Sequence, residues 1–341
     1  MPPCCRPCWP GFNMERKITV SVLIIAYNQI AYIDKALRSA QMQTGAGEIE
    51  IIIHDDCSTD GTREFIVDAA ARDPRVRLVL SESNSASNTI VRRPLEMARG
   101  RYVALLDADD YWTVDNKLAR QVRILDTDPT LAGCFHNAWA LDATAEGYVG
   151  NGDRSRAARL WTSESQPRTI DHSRIWEGNP FATAAGMLRR SALREIDEDW
   201  YDQFFLTDWP LYAAAATHGD LAFINEPVAV YQLHAGSTYA ARRVQDKMER
   251  IAEFYKHTAR GLSARVSAFD PSKEAARGAG YFYGGLAERH FSNREFSEAL
   301  TCLWHSAHTG SVSRSIGWRK WSNLLGKSLA AAKRDMTEPK S

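Results

Sequence analysis

Apolar positions along the chain alternate between two patterns. Ile18 to Ala26 (ITVSVLIIA) is a β-branched apolar run, which predicts a strand buried on both faces. Tyr27-Asn28-Gln29 breaks it. Residues 31–43 then carry Ile33, Leu37 and Ala40 at helical spacing, and Gly45 and Gly47 predict the stop. The same alternation recurs. Strands are predicted over 48–54, 76–80 and 101–106, with helices over 62–72 and over 94–99, the latter between Pro94 and Gly100. Such alternation predicts βαβ units: an α/β fold with a Rossmann-like, mostly parallel sheet flanked by helices. Ligands of such sheets bind beyond the carboxyl ends of the strands.

Downstream, 116–126 predicts a helix with Leu118, Val122 and Leu125 on one face, and 131–139 a strand. Residues 143–174 read as a polar loop over the site, 181–189 as a strand and 191–196 as the start of a short helix. Residues 207–217 predict a helix with Pro210 in its first turn. Two strands, 221–225 and 228–233, follow and lead to His234. Beyond residue 240 the pattern is helical only. Residues 280–307 read as two short helices split near Ser292-Asn293, like one tetratricopeptide hairpin, and a single copy cannot stack into a solenoid. The expected organisation is an extension over 1–14, an α/β domain over 15–240 and a helical C-terminal region over 241–341.

Charge and composition narrow the classes. Of 341 residues, 42 are Lys or Arg and 42 are Asp or Glu, so there is no global basic footprint for nucleic acid. With 44% apolar and 25% charged residues the chain is globular. Cys4, Cys5 and Cys8 crowd the start, but no second Cys or His pair follows to complete a zinc site. That segment lacks the apolar stretch of a signal peptide, and Met14 reads as the true start. No apolar run reaches the roughly 18 residues of a membrane span, so a cytoplasmic protein is expected. Residues 316–334 set Trp318, Trp321, Leu324, Leu325 and Leu329 beside Arg319, Lys320, Lys327, Lys333 and Arg334, a pattern open to peripheral membrane contact or to packing on the protein itself.

The chemistry concentrates at strand ends. Three of the four early strands end in polar or acidic residues: Tyr27-Asn28, Asp55-Asp56 and Asp107-Ala108-Asp109-Asp110. One such Asp is usually a turn or cap residue. Carboxylates at two neighbouring ends repel one another unless a cation or ligand donors offset them.

Four blocks then resemble a known family. VSVLIIAYNQIAYIDKALRSAQMQT, EIEIIIHDDCSTDGT, ARGRYVALLDADDYW and TDWPLYAAAATHGDLAFINEPVAVYQLHAGS, in that order, are similar to the family 2 glycosyltransferases of GT-A fold, over roughly residues 17–240. The resemblance implies an inverting enzyme that moves a sugar from a UDP- or dTDP-type donor to a hydroxyl of a glycan or lipid-linked acceptor, with Mg²⁺ or Mn²⁺ as cofactor. Residue by residue, it puts Ala26, Tyr27 and Asn28 at the nucleotide base, with Asp56 accepting from its N3–H. Asp107 is expected at the ribose, Asp109 on the metal and His234 on the metal or diphosphate. Asp208 is expected as the base, kept ionised by the helix start. Arg93, with Arg92, is the basic candidate near the donor phosphates, or part of a solvated face, and Trp112 and Trp209 are candidates for the acceptor or sugar pocket, or for the core.

This chain departs from the family's pattern in places. Ile25-Ala26 replaces the common Pro-Thr, 84–93 lacks the usual Gly-containing loop, and Thr207 replaces a Glu. Cys57 stands where Gly is usual, and its Cβ predicts a turn that does not need positive φ. Two rival readings fit less well. A nucleotidyltransferase would want a Gly-rich loop where this chain reads AYNQIAYIDK, and a non-catalytic sugar-nucleotide-binding protein would not need Asp107, Asp109 and Asp208 together.

Overall fold

Among the described residues, ten strands form one mixed sheet. A computed structural model describes residues 17–85, 87, 89–142, 158–162, 167–170, 172–175, 179–193, 201–202, 207–234, 283, 286–287, 290–291, 295–308 and 318–337. The strands are β1 (Val20–Ala26), β2 (Ile49–Asp55), β3 (Val76–Leu80), β4 (Tyr102–Asp107), β5 (Tyr111–Trp112), β6 (Gly133–Asp142), β7 (Ala158–Leu160), β8 (Thr169–Ile170), β9 (Gly186–Arg189) and β10 (Leu221–Leu233). The spatial order is β3-β2-β1-β4-β9-β6-β10-β5, with β7 on β6 and β8 on β10. The four N-terminal strands β3, β2, β1 and β4 run parallel, and β6 pairs parallel with β10. Between these sets lies β9, antiparallel to both β4 and β6.

The helices are α1 (Ile33–Gln41), α2 (Thr62–Arg72), α3 (Thr89–Met97), α4 (Lys117–Thr127), a single turn α5 (His172–Ile175) and α6 (Trp209–Ala216). They cover both faces of the sheet, which is why β1 and β2 are buried at nearly every position. Val22, Ile24, Ile51 and Ile53 pack with Ile33 and Leu37 of α1 and Leu118 and Leu125 of α4. On the other face, Leu23, Ile52, Val103 and Leu105 pack with Val91 of α3 and Trp209, Leu211 and Tyr212 of α6. Each such aliphatic side chain contributes roughly 1.5–3 kcal/mol by leaving water.

Several expectations are corrected. Helix α3 begins at Thr89, with Pro94 inside it. The 143–174 segment contains β7, β8 and α5, while 143–157 lies outside the described residues. Thr183–Ala185 is a 3₁₀ turn and only Gly186–Arg189 is strand; a second 3₁₀ turn, Arg190–Leu193, follows. The two late strands are one, β10, which absorbs Asn225-Glu226-Pro227 as register shifts between Ile224 and Ala229. Cys57 does adopt positive φ, +67°, despite its Cβ.

In the C-terminal region, helices Phe296–His308 and Trp318–Thr337 share a separate apolar cluster. Leu286, Ala287, Cys302 and Leu303 meet Tyr283, Trp321, Leu324 and Leu325 there. The Trp321-Leu324-Leu325 stripe therefore packs within the chain. No described helix is long and apolar enough to cross a membrane. Residues 1–14, and most of the hairpin before Glu295, lie outside the described residues.

Candidate active site

The carboxyl ends of β1, β2 and β4 lie side by side, since Ile25 pairs with both His54 and Asp107. Two groups of side chains gather there.

The first is built on the β1 and β2 ends. Asp56 N–H donates to Ala26 O at 2.9 Å, joining the two loops. Asn28, at φ +53°, donates its N–H to Ser58 Oγ and accepts from Thr59 N–H through Oδ1, both at 2.9 Å. Ser58 and Thr59 thus hold Asn28, while Asp60 accepts from Thr62 N–H at 3.0 Å just ahead of α2, whose N-cap is Gly61. Tyr27 is left 44% exposed beside this turn. Asp55 is structural: it pairs with Arg63 at 2.7 Å and accepts from Ser58 N–H. Asp56 is covered by the loop before α3, and Ser85 N–H donates to both its oxygens at 3.0 Å. His54 ties the loop to the first turn of α3, its Nε2 2.9 Å from Ser81 Oγ and its Nδ1 2.7 Å from Ile90 O. Burial, first, and the nearby Arg93 charge hold that ring below the ordinary histidine range. Arg93 is exposed on α3, whereas Arg92 pairs with Glu96 and Asp202.

The second group is acidic. Asp107 ends β4 and Ala108 N–H donates to Ile25 O at 2.9 Å, folding the turn back on β1. Asp109 Oδ2 lies 2.9 Å from His234 Nε2, and the His234 ring packs on Tyr32 at 4.4 Å between centroids. Gln232 locks the turn from β10. Its N–H donates to Asp110 Oδ1 at 3.0 Å and its side-chain amide donates to Asp109 O. Asp110 Oδ2 is buried without a hydrogen-bond partner among the described residues. Burial, then the charges of Asp109 and Asp107, push Asp110 well above the usual carboxylate range.

Asp208 enters this group from the start of α6, with a relative exposure of 7%. Its Oδ1 accepts from Trp209 N–H at 2.7 Å; its Oδ2 accepts from Asn179 Nδ2 at 2.8 Å and Thr183 Oγ1 at 3.2 Å. The helix start was expected to keep its pKa low. Burial outweighs these donors and raises it. Asp107 is pushed up to about 8 by burial first, then by the charges of Asp109 and Asp208. Such mutual repulsion marks a place where added positive charge is favoured.

Trp112 and Trp209 are 2% and 3% exposed, and their ring N–H groups donate to Ala184 O at 2.7 Å and Ile175 O at 2.8 Å. Both lie in the core beside the site, with their polar edges bonded to backbone. Asn179, Thr183, Ser85, Gln232 and Tyr32 were not read as site residues from the sequence. Thr183, a lone hydroxyl in the apolar run FATAAGM, is the one with a visible signal.

Against known proteins, the model of the family described as "Glycosyl transferase family 2" matches residues 21–197, more than half of the chain. The chain belongs to that family. An uncharacterized protein of Mycobacterium tuberculosis is 31% identical over 254 residues, 73% of this chain and 67% of its own length. The Escherichia coli enzyme named UDP-Glc:alpha-D-GlcNAc-diphosphoundecaprenol beta-1,3-glucosyltransferase WfaP is 28% identical over 65% of this chain and 80% of its own. Among solved structures, S. aureus TarS 1-349 in complex with UDP-GlcNAc matches with a TM-score of 0.58 at 19% identity, covering 92% of this chain and 81% of that one. The mannosyltransferase PcManGT from Pyrobaculum calidifontis, in complex with GDP-Man and Mn²⁺, gives a TM-score of 0.53 at 19% identity, covering 93% and 87%. The family 2 chain described here therefore has the GT-A sheet with a helical C-terminal appendage.

Proposed function

We propose that this family 2 transferase is inverting and takes a UDP- or dTDP-sugar as donor, transferring to a hydroxyl of a glycan or lipid-linked acceptor in surface polysaccharide synthesis. The convergence of Asp208 with Asp107 and Asp109 carries the reading. It puts a buried, hydrogen-bonded carboxylate beside the strand ends where a donor binds in such sheets. The names of WfaP, as a UDP-Glc-dependent enzyme, and of TarS, with UDP-GlcNAc, support a uridine donor.

In this reading Tyr27 stacks on the base and Asp56 accepts from its N3–H, with Ala26 and Asn28 shaping the turn. Asp107 meets the ribose, and Arg93 faces the phosphates from α3. Asp208 takes the proton of the acceptor hydroxyl as that oxygen attacks the anomeric carbon. The bond from that carbon to the diphosphate oxygen breaks on the opposite face, and its electron pair leaves with the nucleotide. A base of raised pKa holds the transferred proton more readily near neutral pH.

Asp109 and His234 would hold a divalent cation. Among the described residues no three His, Cys, Asp or Glu side chains gather as a metal site. The two donors present suit Mg²⁺ or Mn²⁺, which commonly use one or two protein carboxylates and complete their shell with substrate phosphates and water. When bound, the cation offsets charge on the departing diphosphate. UDP release from UDP-glucose, UDP-N-acetylglucosamine and dTDP-glucose, each with Mn²⁺ or Mg²⁺, tests the reading. Asp208→Asn is expected to lower turnover by roughly 10²–10⁴-fold. Unchanged turnover would remove Asp208 as the base, and no binding of any UDP- or dTDP-sugar would remove the donor class.

A further inference from the structure

The Asn179–Thr183 segment has no role in the reading above, yet its side chains supply two of the three donors on Asp208. A carboxylate offers about four lone-pair sites. Three are occupied here, so the direction in which Asp208 receives a proton follows from where Asn179 and Thr183 sit. The segment is itself fixed from beneath. Trp112 donates its indole N–H to Ala184 O at 2.7 Å, and Gln121 donates its amide to Ala185 O at 3.0 Å and Cys134 O at 2.7 Å. Gln121 is in turn oriented by Lys117 Nζ at 2.8 Å from its Oε1. The 3₁₀ turn Thr183–Ala185 is thus bolted to α4 and β5, and through them to the loop that carries Asp109 and Asp110.

We infer that Thr183 and Asn179 are positioning residues for Asp208, and that Trp112 and Gln121 set the turn presenting Thr183, so that acceptor deprotonation depends on the Thr183 hydroxyl as well as on the base. The inference rests on Asp208 being the base. A misdirected lone pair slows chemistry without weakening donor binding, because catalytic geometry tolerates errors of well under 1 Å.

Two measurements on the full chain test it. Urea unfolding of Thr183→Val, Asp208→Ala and the double variant reads the contact without any substrate. The midpoint shifts of the singles are expected not to add, and additive shifts would show that the hydroxyl does not hold Asp208. UDP release from the three nucleotide sugars with Mn²⁺ reads its effect. Thr183→Val is expected to lose about tenfold or more in kcat with the donor KM within about twofold. Thr183→Ser, which keeps the hydroxyl, restores kcat, and Trp112→Phe, which removes the indole N–H together with part of the buried ring, gives a smaller loss. Both losses vanish in the Asp208→Asn background. Persistence of the Thr183→Val loss there, or failure of serine to restore, overturns the inference while leaving the base assignment intact. Full turnover by Asp208→Asn removes the base itself, and with it the catalytic role given to Thr183.

Discussion

Replacing Lys117 by methionine is expected to stabilise the protein at neutral pH, with a gain that disappears in alkali. Lys117 is fully buried at the start of α4, where its ammonium nitrogen lies 4.5 Å from the Trp112 ring centroid and donates to Gln121. Burial pushes its pKa down to about 7, with a small opposing effect from Cys134. An exposed lysine titrates near ~10.4, so the difference corresponds to on the order of 5 kcal/mol. Above about pH 10.4 both folded and unfolded chains carry the neutral amine, and there is no proton-linked penalty. Between about pH 10.4 and 7 the unfolded chain binds a proton that the folded chain does not, so stability falls by about 1.4 kcal/mol for each unit of acidification. Below about pH 7 both are protonated and the slope ends. Methionine keeps the unbranched shape and removes the titration, losing one hydrogen bond worth about 1 kcal/mol. The net expectation is a stabilisation of about 2–4 kcal/mol near neutral pH, shrinking to zero or reversing by about pH 10. Urea unfolding of both proteins at about pH 7, 8.5 and 10 measures it. A difference that does not change with pH would refute the titration argument, as would a methionine variant less stable at neutral pH.

Three further outcomes can be checked. Glu50 accepts from Ser21 Oγ and Arg99 N–H at 2.7 Å, from Arg77 at 2.8 Å and from the Arg99 side chain at 3.0 Å. Burial raises its pKa, but these donors together outweigh it and hold the carboxyl below its ordinary value. Its stabilisation is present above about pH 4.3 and lost as the pH falls through the depressed value, so Glu50→Gln is expected to cost about 3 kcal/mol near neutral pH and to flatten the acid limb of a stability curve. A Cβ at Gly219 would lie 2.0 Å from Thr130 O, so Gly219→Ala should lower stability by about 2 kcal/mol or more in a denaturant titration. At Cys57, where φ is +67°, the glycine variant should be more stable than the alanine variant by about 1 kcal/mol.

Runs of local character made much of this fold legible. The apolar stretches of β1, β2 and β4 could be read because burial on both faces leaves no polar alternation to confuse with a helix. The acidic ends were legible for the opposite reason: charge does not follow a buried strand without a use. Elements whose form depends on distant partners were not legible. Helix α3 starts at Thr89 because His54 and Asp202 hold its first turn, and nothing in NSASNTIVRR announces either partner. Cys57 accepts a left-handed backbone where its neighbours Asp56 and Ser58 are both held, by Ala26 O and by Asp55. The pKa of Asp208 was misjudged because a helix start is visible in sequence and burial is not.

The largest gap was Thr183, and sheet register explains it. Strand β9 runs antiparallel to β4, with Arg189 opposite Tyr102 and Leu188 opposite Val103. Each residue back along β9 is one residue forward along β4, so Gly186 falls level with Leu105. The 3₁₀ turn that precedes β9 then sets Thr183 against the end of β4, where its hydroxyl bonds Asp107 as well as Asp208. The antiparallel insertion of β9 beside β4 is thus what delivers a hydroxyl to the acidic strand end, some 75 positions away in sequence. Asp208 reaches the same hydroxyl from α6, which packs on the face formed by Leu23, Val103 and Leu105. Neither approach is written in a local window. One depends on the order β1-β4-β9-β6 and the other on the packing of α6 against that sheet, and together they bring Thr183 and Asp208 to the acidic strand end.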